Sequence, residues 1–204
     1  MTAILARLRT LPISRAVILS RAVILAGVIV GAVVGVFAVG AVGVLAEGQP
    51  ARTPSAIITM EKGGEIVLDF YVKDAPRHVE NFVTLAKKGF YDGQRVHRVE
   101  PNFVVQFGDP QSKTKPMDDP AMGSGGPGYT IKAEFNGRKF ERGVLGMART
   151  NDPDSAGSQV YIMLAPAPFL NGKYTAFGQV SKGMEIVDTI RVGDRIKSIK
   201  VVDK

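Results

Sequence analysis

The sequence contains no cysteine and only two histidines among its 204 residues. The absence of cysteine excludes disulfide bonds, thiol nucleophiles and metal sites built on thiolates. It also fits an exported protein that avoids oxidation chemistry. The two histidines, His78 and His97, do not have the spacing of a metal-binding pair. The sequence therefore predicts a protein without a metal site and without a cofactor.

Other common catalytic signatures are also absent. The segment GSGGPG at 123–128 is rich in glycine but lacks the lysine and the serine or threonine of a phosphate-binding loop. The segment TNDPDSAGS at 150–158 carries two aspartates, but their spacing does not complete a calcium loop, and a turn is expected instead. There is no nucleophile elbow. Both segments are therefore interpreted as surface loops.

Charge is absent from one long stretch near the beginning of the chain. Residues 22–46 form a run of 25 residues with no charged side chain. A helix of about 20 residues is enough to cross the hydrocarbon layer of a membrane. The basic residues Arg7, Arg9, Arg15 and Arg21 precede the run. These features predict a transmembrane helix or signal anchor at 22–46, with residues 1–21 in the cytoplasm and the remainder of the chain outside it.

Two further interpretations of this run remain open. Residues 44–46 resemble a signal-peptide cleavage site, but an apolar region of about 7–15 residues is usual for a cleaved signal, so an uncleaved anchor is favoured. Either alternative exports the downstream domain to the cell membrane or beyond it. Gly27, Gly31 and Gly35 recur at intervals of four, a spacing that permits a weak homodimer through this helix.

The charge balance excludes one class of partner. The net charge is +7, and four of these charges belong to the arginines before the apolar run, which leaves +3 for residues 47–204. A nucleic-acid-binding domain normally carries a concentrated basic surface. The remaining domain is close to neutral, so we expect no nucleic-acid partner.

A short polar linker at 47–55 precedes a region with the pattern of a β-rich domain at 56–204. Two apolar segments joined around Gly63 and Gly64 predict a hairpin. Apolar residues at helical spacing predict one helix between Asp74 and Gly89, and a second is expected around 184–190. Further strands are predicted at 104–108, 129–135, 143–148, 158–164 and 174–180. Many short strands with two helices indicate a closed antiparallel sheet with helices at its ends.

The segment VHRVEPNFVVQFGDP at 96–110 has the alternating apolar pattern of a strand, but it also contains two long polar side chains. Arg98 and Gln106 lie on either side of Pro101. Taken alone, an arginine in such a segment is usually solvated or ion-paired, and an aromatic residue in a strand usually belongs to the core. Only the order of the motifs that follow distinguishes a site from these ordinary roles.

Five segments in order resemble the motif series of cyclophilin-type peptidyl-prolyl isomerases: VHRVEPNFVVQFGDP, GSGGPG, GVLGMART, SAGSQVYIML and FLNGKYTAFGQV. The resemblance extends from about residue 56 to residue 202. It implies a mainly β fold, a closed antiparallel eight-stranded β-barrel capped by two α-helices, preceded here by the N-terminal transmembrane helix. It also implies isomerisation of X–Pro peptide bonds, with proline-containing polypeptides as partners and exported proteins as the clients that are helped to fold.

The resemblance assigns a role to each matching position. Arg98 is the expected catalytic arginine, and Gln106 is expected to position both that arginine and the substrate. The proline pocket and the adjoining groove are expected to be lined by His97, Phe103, Val104, Gly123, Ala148, Arg149, Thr150, Gln159, Tyr161, Phe169, Leu170 and Tyr174. No metal ligand is expected among them.

Several positions depart from the family pattern. Glu100 lies where an aliphatic residue is usual, and Phe107 lies where glycine or alanine is usual. Arg149 replaces a common asparagine, and Tyr174 replaces a frequent histidine. Phe169 stands in place of tryptophan, which removes an indole N–H donor and predicts weak inhibition by cyclosporin. Phe107 is expected either to enlarge the core or to narrow the pocket floor.

The chemistry of X–Pro isomerisation agrees with this set of residues. Rotation about an amide bond meets a barrier of roughly 18–20 kcal/mol because of resonance. A catalyst needs an apolar pocket for the ring, a groove for the backbone and a donor near the prolyl nitrogen, but no nucleophile or metal. Two alternatives remain: a cyclophilin-fold module that binds proline segments without turnover, and a membrane scaffold organised by the glycine-spaced helix.

Overall fold

The computed structural model describes residues 53–203 of the chain. The predicted cytoplasmic segment 1–21, the predicted transmembrane helix 22–46 and most of the predicted linker lie outside the described residues, as does the proposed dimerisation through Gly27, Gly31 and Gly35. Across 53–203, the structure contains no helix that is long and apolar enough to cross a membrane. The first strand begins at Pro54, which lies within the segment predicted as linker.

The described part of the chain is mainly β, with one eight-stranded antiparallel sheet and two α-helices. The strands are β1 Pro54–Met60, β2 Glu65–Phe70, β3 Arg98–Glu100, β4 Val104–Phe107, β5 Val144–Met147, β6 Val160–Met163, β7 Ala176–Lys182 and β8 Ile196–Asp203, and the helices are α1 Pro76–Lys87 and α2 Met184–Thr189. Neighbouring strands follow the order β3-β4-β6-β5-β7-β2-β1-β8. Both predicted helices and the predicted hairpin at the start of the domain are confirmed.

The predicted closed barrel is wrong in one respect, because the sheet is curled and has two ends. β3 and β8 are the terminal strands, and no ladder of hydrogen bonds joins them. The segments that precede these strands meet instead at one isolated antiparallel bridge, between Arg95 and Arg195. In the antiparallel register of this bridge, β8 lies opposite residues that precede β3, next to the end of α1, so β3 and β8 do not face each other.

Helix α1 covers one side of the sheet and packs against β7 and β8. Pro76 fits the first turn, where a proline loses no intrahelical hydrogen bond. Ala75 precedes the helix and offers no capping side chain. The Glu134 carboxylate replaces this cap, since it accepts hydrogen bonds from the backbone N–H groups of Arg77 and His78 at 3.1 and 3.0 Å. A side chain from a distant loop therefore caps the N-terminus of the helix.

The buried apolar side chains form two clusters. The main core lies between the curled sheet and the helices, and Leu68, Phe82, Tyr91 and Phe177 are among its fully buried members. The smaller cluster lies on the other face of β4 and β6 and contains Val104, Phe140, Tyr161, Met163 and Leu170. This second cluster supports the candidate site described below.

The strand predicted at 129–135 is wrong. Its backbone makes one isolated bridge, between Ile131 and Ala156. The next N–H groups donate to side chains, that of Ala133 to Asp154 and that of Glu134 to Thr175. Because these donors are already satisfied by loops and side chains, the segment does not join the sheet.

Candidate active site

The hairpin of β3 and β4 explains the two polar residues in the 96–110 segment. Pro101 lies in the turn between these strands, and Asn102 follows it with a left-handed φ of 59°. The register pairs Arg98 directly with Gln106 across the two strands. Residues eight positions apart in sequence thus become neighbours on the same face of the sheet.

A chain of side-chain hydrogen bonds starts at Arg98. Its Nη1 atom donates to Oε1 of Gln106 at 2.9 Å. Nε2 of Gln106 then donates to Oε1 of Gln159 at 2.9 Å. Both glutamines are buried, and buried amides that use both donor and acceptor hold a fixed orientation. The guanidinium is therefore oriented by a network that is anchored on β4 and β6.

A cavity of about 250 Å³ opens beside this network. It is lined by ten of the predicted site residues: Arg98, Phe103, Val104, Gln106, Ala148, Arg149, Tyr161, Phe169, Leu170 and Tyr174. The ring centroids of Phe103 and Phe169 lie 5.7 Å apart, and those of Tyr161 and Tyr174 lie 6.3 Å apart. Phe169 remains 61% exposed, so it forms the outer edge of the cavity rather than its floor.

A second, larger cavity of about 530 Å³ adjoins the first and has the form of a groove. The predicted residues Gly123, Thr150 and Gln159 line it, and Gln106, Ala148 and Arg149 line both cavities. The side chain of Arg149 stands at this boundary, with its guanidinium carbon 4.3 Å from the centre of the Tyr174 ring. Its Nη2 atom also donates to the Lys173 carbonyl oxygen at 3.0 Å, which joins two loops across the site.

Asp109 supports the site and was not predicted from the sequence. Its carboxylate is fully buried and accepts hydrogen bonds from the backbone N–H groups of Gln111, Gly123 and Gly125. Gln159 donates to the carbonyl oxygens of the same two glycines at 2.7 and 2.8 Å. Asp109 and Gln159 together fix the lip of the groove. The signal was an aspartate placed three residues after Gln106 in the motif that carries the arginine.

His97 is the one predicted site residue that lines neither cavity. It lies behind the lip, and a Cβ atom placed on Gly123 would be 3.7 Å from its Cδ2 atom. Burial is the main factor that lowers the pKa of His97, and the nearby Arg98 adds to this effect, whereas Asp109 and Gln159 oppose it. The imidazole thus supports the lip as a neutral group and does not contact the space that a ligand would occupy.

The two unusual residues of the hairpin face different surroundings. Phe107 is 2% exposed and belongs to the main core, where it meets Tyr91 edge-on with a centroid distance of 5.9 Å. Of the two alternatives given for Phe107, a place in the core agrees with its position, whereas narrowing of the pocket floor does not, because Phe107 lines neither cavity. Glu100 lies on the exposed side of β3 and accepts two hydrogen bonds from Arg98.

The geometry favours binding and polarisation over covalent chemistry. The lining of the smaller cavity contains no serine, threonine or carboxylate, and within 53–203 no group of three potential metal ligands occurs. Burial raises the pKa of the Tyr161 hydroxyl, so this group stays protonated. The charged groups in its lining are the guanidinium groups of Arg98, which Gln106 and Glu100 hold in place, and Arg149. Such a site can hold a small apolar ring and present N–H donors to it.

Comparison with known proteins identifies this arrangement. The family model described as cyclophilin type peptidyl-prolyl cis-trans isomerase/CLD matches residues 56–203. A probable peptidyl-prolyl cis-trans isomerase of Brucella abortus is 38% identical over 172 residues, which cover 82% of this chain and 86% of the relative. Peptidyl-prolyl cis-trans isomerase B of Bacillus subtilis is 42% identical over 144 residues, which cover 70% of this chain and 94% of the relative.

Solved structures agree with the sequence relatives. A cyclophilin type peptidyl-prolyl cis-trans isomerase of Cryptosporidium parvum superimposes with a TM-score of 0.65 and 25% identity, covering 74% of this chain and 99% of the other. A crystal structure of the same protein in the presence of the dipeptide Ala-Pro gives a TM-score of 0.61 and 26% identity, covering 74% of this chain and 98% of the other. The chain belongs to the cyclophilin-type peptidyl-prolyl cis-trans isomerase family. Its activity is the cis–trans isomerisation of X–Pro peptide bonds.

Proposed function

We propose that this activity resides in the smaller cavity, with Arg98 as the catalytic donor and Gln106 as its support. The apolar side chains of Phe103, Val104 and Leu170 would enclose the prolyl ring. The groove beyond Gln106 would hold the backbone of the residues that precede the proline. The Ala-Pro dipeptide present with the Cryptosporidium parvum relative supports a short proline peptide as the ligand.

The rate acceleration follows from the state of the prolyl nitrogen. In the planar amide its lone pair is shared with the carbonyl group, and twisting the bond returns the lone pair to the nitrogen. A donor at that position binds the twisted state better than either planar state and lowers the barrier. Arginine suits this role because its guanidinium stays charged and holds its donors in a rigid plane.

The observation that carries the proposal is the way in which Arg98 is held. Three of its hydrogen bonds go to Gln106 and Glu100, whereas a guanidinium has five N–H donors. One N–H on each terminal nitrogen is therefore left for a ligand. The guanidinium carbon lies 5.6 Å from the centre of the Phe103 ring, so these donors stand above the apolar wall of the cavity.

The decisive experiment is a protease-coupled isomerase assay on a short X–Pro peptide. We expect Arg98→Ala to reduce kcat/KM at least tenfold, which corresponds to about 1.4 kcal/mol. Arg77→Ala, which removes an exposed arginine of α1 that lines neither cavity, is the matched control and should keep the wild-type value. Unchanged kinetics in Arg98→Ala would remove this residue from the mechanism. Peptide binding without turnover in the wild type would favour the non-catalytic binding module.

We further propose that the domain acts outside the cytoplasm and assists the folding of exported proteins. The support is the uncharged run at 22–46 and the four arginines before it. Uncatalysed proline isomerisation takes roughly 10–100 s, so it can limit the folding of newly exported chains. Membrane fractionation and the mass of the mature N-terminus test the anchor. A protein recovered in the soluble cytoplasmic fraction would contradict this proposal.

A further inference from the structure

Glu100 makes an unusual contact with the guanidinium at the edge of the proposed proline pocket. Its Oε1 atom accepts from Nε of Arg98 at 2.8 Å and from Nη2 at 2.6 Å. The two residues are adjacent on one face of β3, since side chains two positions apart in a strand point the same way. One carboxylate oxygen is committed to the arginine, and the side chain as a whole remains 50% exposed.

The strand register places Glu100 on the side of the pocket away from the groove. Gln106 lines both cavities, and Arg98 pairs with it. Glu100 pairs with Val104, which lines only the smaller cavity. Moving along β3 from Arg98 to Glu100 therefore leads away from the groove. If the groove holds the residues before the proline, Glu100 faces the residues that follow it.

Glu100 places a negative charge beside a pocket whose charged lining residues are positive. The charged residues that line the smaller cavity are Arg98 and Arg149, both cationic. Arg149 lies at the groove boundary, against Tyr174. At the opposite end of the pocket, the Glu100 carboxylate offsets the positive charge of Arg98. With an aliphatic side chain in its place, this end of the pocket would attract acidic peptides.

We propose that Glu100 is a specificity-determining residue that favours substrates with a lysine or arginine directly after the proline and disfavours those with an acid there. This inference rests on the proposed function, because it assumes that Arg98 borders the prolyl ring. The pair is well exposed, with 42% and 50% of the two side chains accessible, so salt screens its effect. A preference of about three- to fivefold is in the range of exposed ion pairs at low salt.

The test uses three peptides of the form Ala-Ala-Pro-Z-Ala, with lysine, glutamine or glutamate at Z. Exchange NMR spectroscopy reports kcat/KM without a coupling protease. A coupling protease would have its own preference for the residue at Z and would bias the ratio. We expect the wild type to show a Lys-to-Glu ratio of about three to five at low salt. We expect Glu100→Gln to bring this ratio to one or below. Because the readout is a ratio, a change in rate that is common to all three peptides cancels.

The control variant is Glu80→Gln, which removes an exposed acid from α1 and should leave the ratio at the wild-type value. Raising the salt concentration should bring the wild-type ratio down toward one, and a Glu100→Gln ratio below one up toward one, because salt screens both effects. An active wild type whose ratio is the same in Glu100→Gln refutes this inference alone. A wild type that is inactive on all three peptides refutes the proposed function, and this inference with it.

Discussion

The residues of β4 show how one short strand serves both the core and the site. All four of its side chains are buried. Val104 and Gln106 face the smaller cavity, whereas Val105 and Phe107 belong to the main core. Successive side chains of a strand point to opposite faces, so Phe107 is directed away from the pocket by its position next to Gln106. A bulky residue at this position affects packing and not the space available to a ligand.

This separation predicts that Phe107→Ala lowers stability without altering catalysis. Removing a buried phenylalanine from a packed core costs about 3–5 kcal/mol of unfolding free energy. Urea unfolding followed by circular dichroism measures this loss, since the sequence contains no tryptophan for fluorescence. Under conditions in which the variant is folded, KM and kcat for a proline peptide should stay within about twofold of the wild type. A change in KM without a loss of stability would place Phe107 at the site after all.

At the scale of elements, the pairing of β5 with β6 shapes the pocket wall. Gly146 of β5 lies directly opposite Tyr161 of β6. The tyrosine ring occupies the space in which a Cβ atom of residue 146 would lie. The ring is thereby turned toward Tyr174 and Phe140. The glycine is required for close approach of this side chain and not for an unusual backbone angle.

We therefore expect Gly146→Ala to displace the Tyr161 ring and damage the pocket. Overpacking of this kind costs about 1–3 kcal/mol of stability. A displaced pocket wall should also reduce kcat/KM by about tenfold or more, since misplacement by about 1 Å has large effects on catalysis. Gly137→Ala is the matched control, because a Cβ atom there meets nothing within 4 Å. The assay and urea unfolding are measured on both variants, and wild-type kinetics in Gly146→Ala would contradict this explanation.

The accuracy of the sequence prediction varied between elements for local physical reasons. α1 was predictable because Pro76 and an apolar face at helical spacing mark it clearly. β8 was not predicted, and a register shift opposite Thr59 and Met60 breaks its alternation of buried and exposed residues. β3 has only three residues, too few to show a period. Helical signals were therefore more reliable than those of irregular strands.

At the scale of the whole molecule, the site is assembled from distant segments. The smaller cavity takes residues from β3, β4, β6 and the loops around 148–149 and 169–174. No periodicity predicts that these segments converge, and only the ordered family motifs made the set predictable. Asp109 and the pair of His78 and Glu134 were not predicted as structural supports, since their contacts span loops that carry no local pattern.

The two histidines also link folding stability to pH. Burial is the main factor that lowers the pKa of His78, against the opposing hydrogen bond and charge of Glu134. Burial likewise lowers the pKa of His97. The charge of Arg98 adds to this effect, whereas Asp109 and Gln159 oppose it. A histidine whose pKa is lower in the folded state binds its proton more readily when unfolded. Stability is therefore complete above the unfolded pKa of about 6.5 and is lost as the pH falls below it.

We expect the unfolding free energy to decrease between about pH 7 and pH 5, the range in which unfolded histidine takes up a proton. Urea unfolding followed by circular dichroism at several pH values measures the slope. The double variant His78→Gln, His97→Gln should lose most of this slope, because the sequence contains no other histidine.

Burial alone would raise the pKa of Glu134, but hydrogen bonds from the His78 side chain and from two backbone N–H groups lower it. Its contribution is lost only at more acidic pH, so the double variant should still be destabilised there. A slope that persists unchanged in the double variant between pH 7 and pH 5 would show that other groups control the acid sensitivity of this fold.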